Sequence, residues 1–503
     1  MENITTALAY HDRTKHRPQR YAASLGYMDW GTQPDPFRRY EGSRQIALTH
    51  TNVTPPYHLL FDKGALPAAP LCLESLSQLL RYSLGLAAWK SSGSSSWALR
   101  CNASSGNLQP SECYLILPPI IGISTQTSLC HYAPKEHVLE VLCEYDSPLP
   151  NTQIVLLLSS VLWREAWKYG ERSWRYCQLD AGHAATAVRI SAATLGWESC
   201  VVRFDTGSAA EVLGLNDTSR FAPMENESLD LALLISSEPI VRAPFDLPLP
   251  PFPPSYPANI LSPSHHEWPI LPIIDEATQG MYPQTAPLSL SRTVPDPSKS
   301  AGEVILKRRS AQMMDGSGIS ETHFRRILEA SLFLPETADV HFVLFVHRVE
   351  GLEKGLYCYV RDTKELKNLR STMEPDFLWK DFGEGLYLLR EGDYRGAAQR
   401  VSCNQEIARE GAFSFGMLCR FAPALEEYGA IVYKNLYHQC GMIGQLLYLE
   451  ATSLGLSATG IGCFLDDEFH ALLGLKDQHY QSLYHFTVGR GIVDTRLTTL
   501  PPY

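Results

Sequence analysis

The stretch YGERSWRYCQLDAGHAATAVRISAATLGW, Tyr169–Trp197, returns without a gap as YGAIVYKNLYHQCGMIGQLLYLEATSLGL, Tyr428–Leu456. Tyr169-Gly170 falls on Tyr428-Gly429, Gly182 on Gly441, Ala192 on Ala451, and Leu195-Gly196 on Leu454-Gly455. Both copies run on to Leu213-Gly214-Leu215 and Leu473-Gly474-Leu475. A period of about half the chain indicates a duplicated domain and excludes a solenoid of short repeats. The repeated segment reads as a long helix whose small residues, such as Gly182, Ala185 and Gly444, allow close backbone approach. Gly196 and Gly455 sit where a left-handed residue stops a helix. A fused isologous dimer, with the two helices packed about a two-fold-like axis, is the expected result of such a duplication.

Working outward, the 503 residues call for two or three domains. Composition is that of a globular protein, 45% hydrophobic and 19% charged, with a net charge of -11. That charge, without a dense Lys/Arg run, argues against a nucleic-acid partner. No apolar segment reaches the ~20 residues of a membrane span, so no membrane association is expected. The first residues, MENITTALAYHDRTKH, lack the apolar core of a signal peptide. Twelve scattered cysteines without a C-x-x-C fit a reducing, cytoplasmic setting.

The chain divides into an irregular, aromatic- and Arg-rich extension (1–60), a first copy (61–238), a proline-rich connector (239–300) and a second copy (301–503). In copy one a helix is expected over Leu73–Ala88, with strands at CYLILPPI, Thr152–Leu158, CVVRFD and LALLIS. In copy two Ser320 is a candidate N-cap, and HFVLFVHRV and GLYCYV read as strands. Leu129-Cys130-His131-Tyr132 matches Leu356-Tyr357-Cys358-Tyr359. Alternating strands and helices in both halves give an α+β class. The connector cannot be a helix or sheet interior; its Phe245, Tyr256, Trp268 and Ile270–Ile274 are apolar enough to wrap along the body.

Four segments are polar, basic or glycine-rich beyond what packing needs. Ser104-Ser105-Gly106-Asn107-Leu108-Gln109-Pro110 offers hydroxyl, amide and turn donors to a phosphate or flat heterocycle, and is alone an ordinary loop. Arg308, Arg309 and Ser310, after Lys307, could clamp an anion, or be a solvated basic patch. Thr459-Gly460-Ile461-Gly462 exposes bare backbone to a ligand, or simply turns a helix into a strand. Arg490 and Arg496 add cations near the end, or plain surface charge. His265-His266 stands in the connector, and no metal-ligand spacing is present. No cysteine carries a nucleophile signature of a Cys–His hydrolase.

Together these segments resemble the flavin-dependent nitroreductase family. Over nearly the whole chain the sequence is more closely similar to the duplicated, SagB-type azoline (thiazoline/oxazoline) dehydrogenases of thiazole/oxazole peptide pathways. LGYMDWGTQPDPFRRYEG, KYGERSWRYCQLDAGHA and DTRLTTLPPY carry that resemblance. It implies two fused nitroreductase-like domains, a pseudo-dimer joined by the connector, with FMN at a domain interface. Arg308, Arg309 and Ser310 then resemble the motif holding the ribityl phosphate, and Ser104, Ser105 and Asn107 the partner's flavin-contacting loop. Gly460, Ile461 and Gly462 resemble the turn near the isoalloxazine ring, Arg496 a late phosphate contact, and Arg490 a less specific one. Ala103 departs from the proline common before the two serines.

Only one site has both halves: copy one has Thr14-Lys15-His16 where copy two has Arg308-Arg309-Ser310, and copy two has LFLPETAD in place of SSGNLQP. One FMN per chain is expected. The resemblance also assigns Lys168 and Tyr169 as the catalytic pair, where copy two has Glu427-Tyr428. A tyrosine keeps its proton to about pH 10 unless a neighbouring ammonium favours the tyrosinate. The implied activity is oxidation of azolines to azoles in a modified peptide, with hydride passing to FMN and dioxygen reoxidising it. Two other readings remain: an NAD(P)H-dependent nitro or quinone reductase, and a flavin-bound non-catalytic scaffold. The expected partners are a peptide or small-molecule substrate and a cyclodehydratase, and the oligomeric state beyond the pseudo-dimer stays open.

Overall fold

The computed structural model describes residues 2–62, 64–241, 246–285, 299–334 and 337–503. Phe245 of the connector and Pro335-Glu336 of the LFLPETAD segment lie outside the described residues.

Copy one forms a seven-stranded sheet from β1 (Arg44–Ala47), β2 (Ser111–Leu117), β3 (Thr127–Ala133), β4 (Val138–Tyr145), β5 (Gln153–Val161), β6 (Glu198–Val201) and β7 (Glu227–Ser236). Copy two forms another from β8 (Val340–Val346), β9 (Gly355–Tyr359), β10 (Lys380–Asp381), β11 (Leu386–Glu391), β12 (Phe413–Arg420), β13 (Ser457–Ile461) and β14 (Tyr480–Gly489). Their spatial orders, β1-β4-β3-β2-β5-β7-β6 and β10-β11-β9-β8-β12-β14-β13, correspond over six strands and differ at one edge, where copy one adds β1 from ahead of its other strands and copy two adds the two-residue β10 from between β9 and β11. All named pairings are antiparallel. The register slips at two equivalent places in each, around Leu142 in β4 and Leu389 in β11, and around Asp230 in β7 and Leu483 in β14. Shared bulges re-aim the same strands in both sheets, which a convergent fold would not require.

The repeated stretch is two helices in each copy. In copy one, α2 (Leu162–Tyr169) stops at Gly170 (φ +54) and α3 (Ser173–Ala193) follows; in copy two, α5 (Ala422–Tyr428) stops at Gly429 (φ +84) before α6 (Ile431–Ser453). At Gly170 a Cβ would lie 2.2 Å from the Ala23 carbonyl oxygen, so both conformation and space demand glycine. Every residue of α3 is buried, which suits a helix enclosed on all sides. Gly196 (φ +69) and Gly455 (φ +72) close the long helices as expected. Ser320 caps its helix by accepting the His323 N–H at 3.2 Å.

Three local expectations fail. The connector, expected to hold no helix, forms one at Ile270–Ala277, where the prolines thin out and Leu271, Ile274 and Ala277 make a buried stripe. The helix expected over Leu73–Ala88 ends at Ser83, because Leu86–Ser92 is a strand paired with Ser95–Arg100 and with Thr498–Leu500. Leu84, Leu86 and the alanines suit either state, and the hairpin decides. The extension contains α1 (Glu2–Arg13), whose polar sequence hides a buried stripe of Ala7, Tyr10 and His11.

The compact units do not follow chain order. One holds Ala23–Lys307 with Arg496–Tyr503, and the other holds Arg308–Thr495 with Met1–Ala22. Thus α4 (Ala301–Lys307) belongs with copy one, where Gly302 donates its N–H to Thr54 Oγ1 at 2.8 Å. Helix α1 belongs with copy two, where His11 bonds Tyr433 (3.1 Å) and Gln481 (3.2 Å). The residues after the proline run also belong to the copy-one unit: Arg39 N–H donates to Asn259 Oδ1 at 2.8 Å, and Leu261 N–H to Glu225 at 2.8 Å.

Candidate functional site

Most of the site residues named in the sequence gather into two clusters, one on each unit, and Arg490 and Arg496 stand apart on the surface. In the copy-one unit the SSGNLQP loop makes a tight turn in which Gly106 (φ +57), Asn107 (φ +58) and Gln109 (φ +55) are all left-handed. Two of the three are not glycine, and such conformations persist only where the surroundings enforce them. Here the loop's own side chains do so. Ser104 Oγ accepts the Gln109 N–H (2.9 Å), Asn107 donates its amide to the Ala98 carbonyl (2.9 Å), and Gln109 donates to Asn107 Oδ1 (3.0 Å). The hydroxyls and amide therefore shape the loop, and its exposed point is Gly106.

Beneath it lies Asp180 of α3, which accepts the Ser105 N–H (3.0 and 2.9 Å) and the Ser105 hydroxyl (2.9 Å). Burial pushes the Asp180 carboxyl up to about 7, against the pull of the Ser104 and Ser105 hydrogen bonds. Lys168 and Tyr169 end α2 beside the same loop. A Cβ on Gly106 would stand 2.7 Å from the Tyr169 hydroxyl and 3.3 Å from Lys168 Nζ. The Lys168 ammonium lies 5.2 Å from the centre of the Tyr169 ring, which packs at 4.5 Å on Tyr176. One turn earlier, both carboxyl oxygens of buried Glu165 lack a hydrogen-bond partner among the described residues. Burial, then Asp180, raises the Glu165 carboxyl well above its usual range.

In the copy-two unit the hub is Tyr448 of α6. Its hydroxyl lies 2.8 Å from Ser310 Oγ and accepts the Gly460 N–H at 2.7 Å, while the buried Arg308 guanidinium sits 5.3 Å over its ring. Thr459 donates its hydroxyl to the Ala311 carbonyl at 2.8 Å, tying edge strand β13 to the segment after the basic motif. Gly460 has no room for a side chain, since a Cβ would meet the Tyr484 hydroxyl at 1.8 Å. Ile461 is buried and Gly462 follows at the strand's end. Arg309 is half-buried and donates to the Arg308 carbonyl at 2.6 Å. Two guanidinium groups and a hydroxyl on consecutive residues suit a phosphate-sized anion. Arg496 is exposed on the copy-one unit, and exposed Arg490 accepts the Asp315 N–H through its carbonyl at 2.9 Å.

The equivalent positions are occupied differently. Lys15 pairs with Asp467 at 2.9 Å, and His16 Nδ1 accepts the Ala22 N–H at 3.0 Å. Glu427 pairs with Arg420 at 3.0 Å, and Tyr428 is 59% exposed. Tyr169, at the equivalent place in copy one, is half-buried. Asp180, Glu165 and Tyr448 were missed in the sequence; the acidic Asp180 in an Ala/Gly-rich helix was the one visible signal. Among the described residues no group of three His, Cys, Asp or Glu could hold a metal, and no helix is long and apolar enough to cross a membrane.

Residues 305–490 match the family model for nitroreductases. A crystal structure from Anabaena variabilis, of a protein assigned as a nitroreductase, superposes with a TM-score of 0.72 at 22% identity, covering 97% of this chain and 99% of that one. A protein of Methanocaldococcus jannaschii assigned as a nitroreductase is 21% identical over 187 residues, 35% of this chain and 84% of its own length. The family match covers the second half, and the structural likeness shows the same fold over both halves.

Proposed function

We propose that this chain is an FMN-dependent oxidoreductase that dehydrogenates azoline rings of a modified peptide to azoles. The observation that carries the reading is the meeting of the left-handed Gly106 loop with Lys168 and Tyr169 over Asp180. When bound, FMN supplies the hydride acceptor, which dioxygen restores. Arg309, Ser310 and Arg308 form a donor set fitted to its phosphate, with the bare backbone of Gly460–Gly462 beside them. Aromatising an azoline also releases a ring proton, and a positioned base must take it. In this reading Tyr169 accepts that proton at its hydroxyl oxygen, and the Lys168 ammonium lies 5.2 Å from the centre of its ring. Asp180 holds the loop that orients both.

The test is Lys168→Ala and Tyr169→Phe, each assayed for bound FMN and for azoline oxidation. Both variants should keep flavin and lose turnover; wild-type rates would remove the pair from the chemistry. The relatives' assignment as nitroreductases favours a second reading, an NAD(P)H-dependent reductase of nitro compounds or quinones. Steady-state NAD(P)H consumption without azoline oxidation would select it.

A further inference from the structure

We infer that Cys403 and Cys463 form a reversible disulfide, a covalent site that fastens the loop after Arg395–Val401 to the Gly460–Gly462 segment. The inference stands apart from the proposed function and uses the copy-two unit alone. Cys463 Sγ donates to Cys403 Sγ at 2.7 Å, and the two thiols are separated by 60 residues. Both are half-buried, so an oxidant reaches them. Cys403 (φ +53) and Asn404 (φ +60) are consecutive left-handed residues without being glycine, which turns the chain so that Cys403 meets Cys463. The two segments are already tied: Gln405 donates its amide to the Ser402 carbonyl (3.0 Å) and the Cys463 carbonyl (3.1 Å).

The pair has an internal contrast. Cys419 and Cys440 also approach, at 3.5 Å, yet both are fully buried, and burial pushes the Cys419 thiol well up. A buried, protonated thiol is inert, whereas an accessible one with donors around its sulfur is reactive. The Cys463 S–H donates to the Cys403 sulfur, which favours thiolate character on Cys403. Cys403 is therefore the attacking sulfur and Cys463 the resolving one.

With hydrogen peroxide as oxidant the step balances. The Cys403 thiolate attacks one peroxide oxygen, the O–O bond breaks, hydroxide leaves and Cys403 becomes a sulfenic acid. The Cys463 sulfur then attacks Cys403, the S–O bond breaks, and water leaves with the Cys463 proton. Two thiols have lost two electrons and peroxide has been reduced to water.

The experiment treats the full-length, pre-reduced protein with a few equivalents of hydrogen peroxide, blocks remaining thiols with N-ethylmaleimide and maps peptides without reduction. The thiol titre should fall from twelve by two, with a Cys403–Cys463 cross-linked peptide that dithiothreitol removes. In Cys463→Ser, dimedone should label Cys403; in Cys403→Ser, Cys463 should stay unlabelled. An unchanged titre, a cross-link between Cys419 and Cys440 instead, or dimedone on Cys463 would overturn the assignment.

Discussion

The two sheets share the order of six strands and two bulges, yet matching faces are built from opposite chemistry. Register places Tyr114 opposite the role of Val343, His131 that of Cys358, Glu140 that of Tyr387, Ser159 that of Leu418 and Glu227 that of Tyr480. In copy two these residues join an apolar cluster with Leu369, Val401 and Phe469, from the helices covering that face. In copy one they form a buried polar network. His131 bridges Glu140 (2.8 Å) and Glu112 (3.0 Å), and Arg164 of α2 reaches Glu112 at 2.5 Å. Glu227 accepts from Tyr114 (2.9 Å), Ser159 (2.6 Å) and Arg38 (3.2 Å). What covers the face explains the difference. Copy one is covered by irregular chain, including Arg38, Tyr40 and the segment near Asn259, whose backbone groups need partners. A helix satisfies its own backbone and presents side chains, so an apolar face suffices. The network also reaches α2 through Arg164, one turn before Lys168, so the polar face is continuous with the helix that ends at the candidate site.

The largest contrast should appear in turnover. Lys168→Ala or Tyr169→Phe should cost about 10²–10⁴-fold in substrate oxidation with flavin retained, the range for removing a general base. Glu427→Ala and Tyr428→Phe should leave the rate unchanged; equal losses in both copies would break the asymmetry. The sheet faces differ next. Glu112→Ala leaves Arg164 and His131 without their carboxylate and should destabilise by about 3–5 kcal/mol, read by chemical denaturation. Cys358→Ala, at the place of His131, should cost only about 1 kcal/mol, since a small apolar group is trimmed. Arg309→Ala should weaken FMN binding by about 1.5–3 kcal/mol, the worth of a charge-assisted bond, while Lys15→Ala, already paired with Asp467, leaves flavin content alone.

How much of this was legible follows from range. The duplication, the stops at Gly196 and Gly455 and the Ser320 cap are local patterns and stood in the sequence, whereas the break at Gly170 inside the stretch read as one long helix did not. The SSGNLQP loop and Lys168-Tyr169 were each visible, but their meeting at Gly106 is a tertiary fact. The polar face was hidden because β2 and β3 are buried on both sides, leaving no alternation from which Glu112 or His131 could be assigned a face. Helix α1 was hidden because its polar residues mask a three-residue stripe.

The smallest effect is graded with pH. Burial pulls His131 down, but its hydrogen bonds to Glu112 and Glu140 outweigh that and raise it to about 9. A folded value above the unfolded ~6.5 gives stability that is full below about pH 6.5 and lost as pH rises towards 9. Denaturation midpoints should fall across that window, and His131→Gln should flatten the slope.

The central claim is that duplication left one working flavin site per chain. It is tested most directly by saturating the purified protein with FMN, removing excess, denaturing it and measuring released flavin against protein. The account predicts about one FMN per chain, since one copy keeps the basic motif and the other keeps the loop with Lys168 and Tyr169. A ratio near two, or no retained flavin, would contradict it.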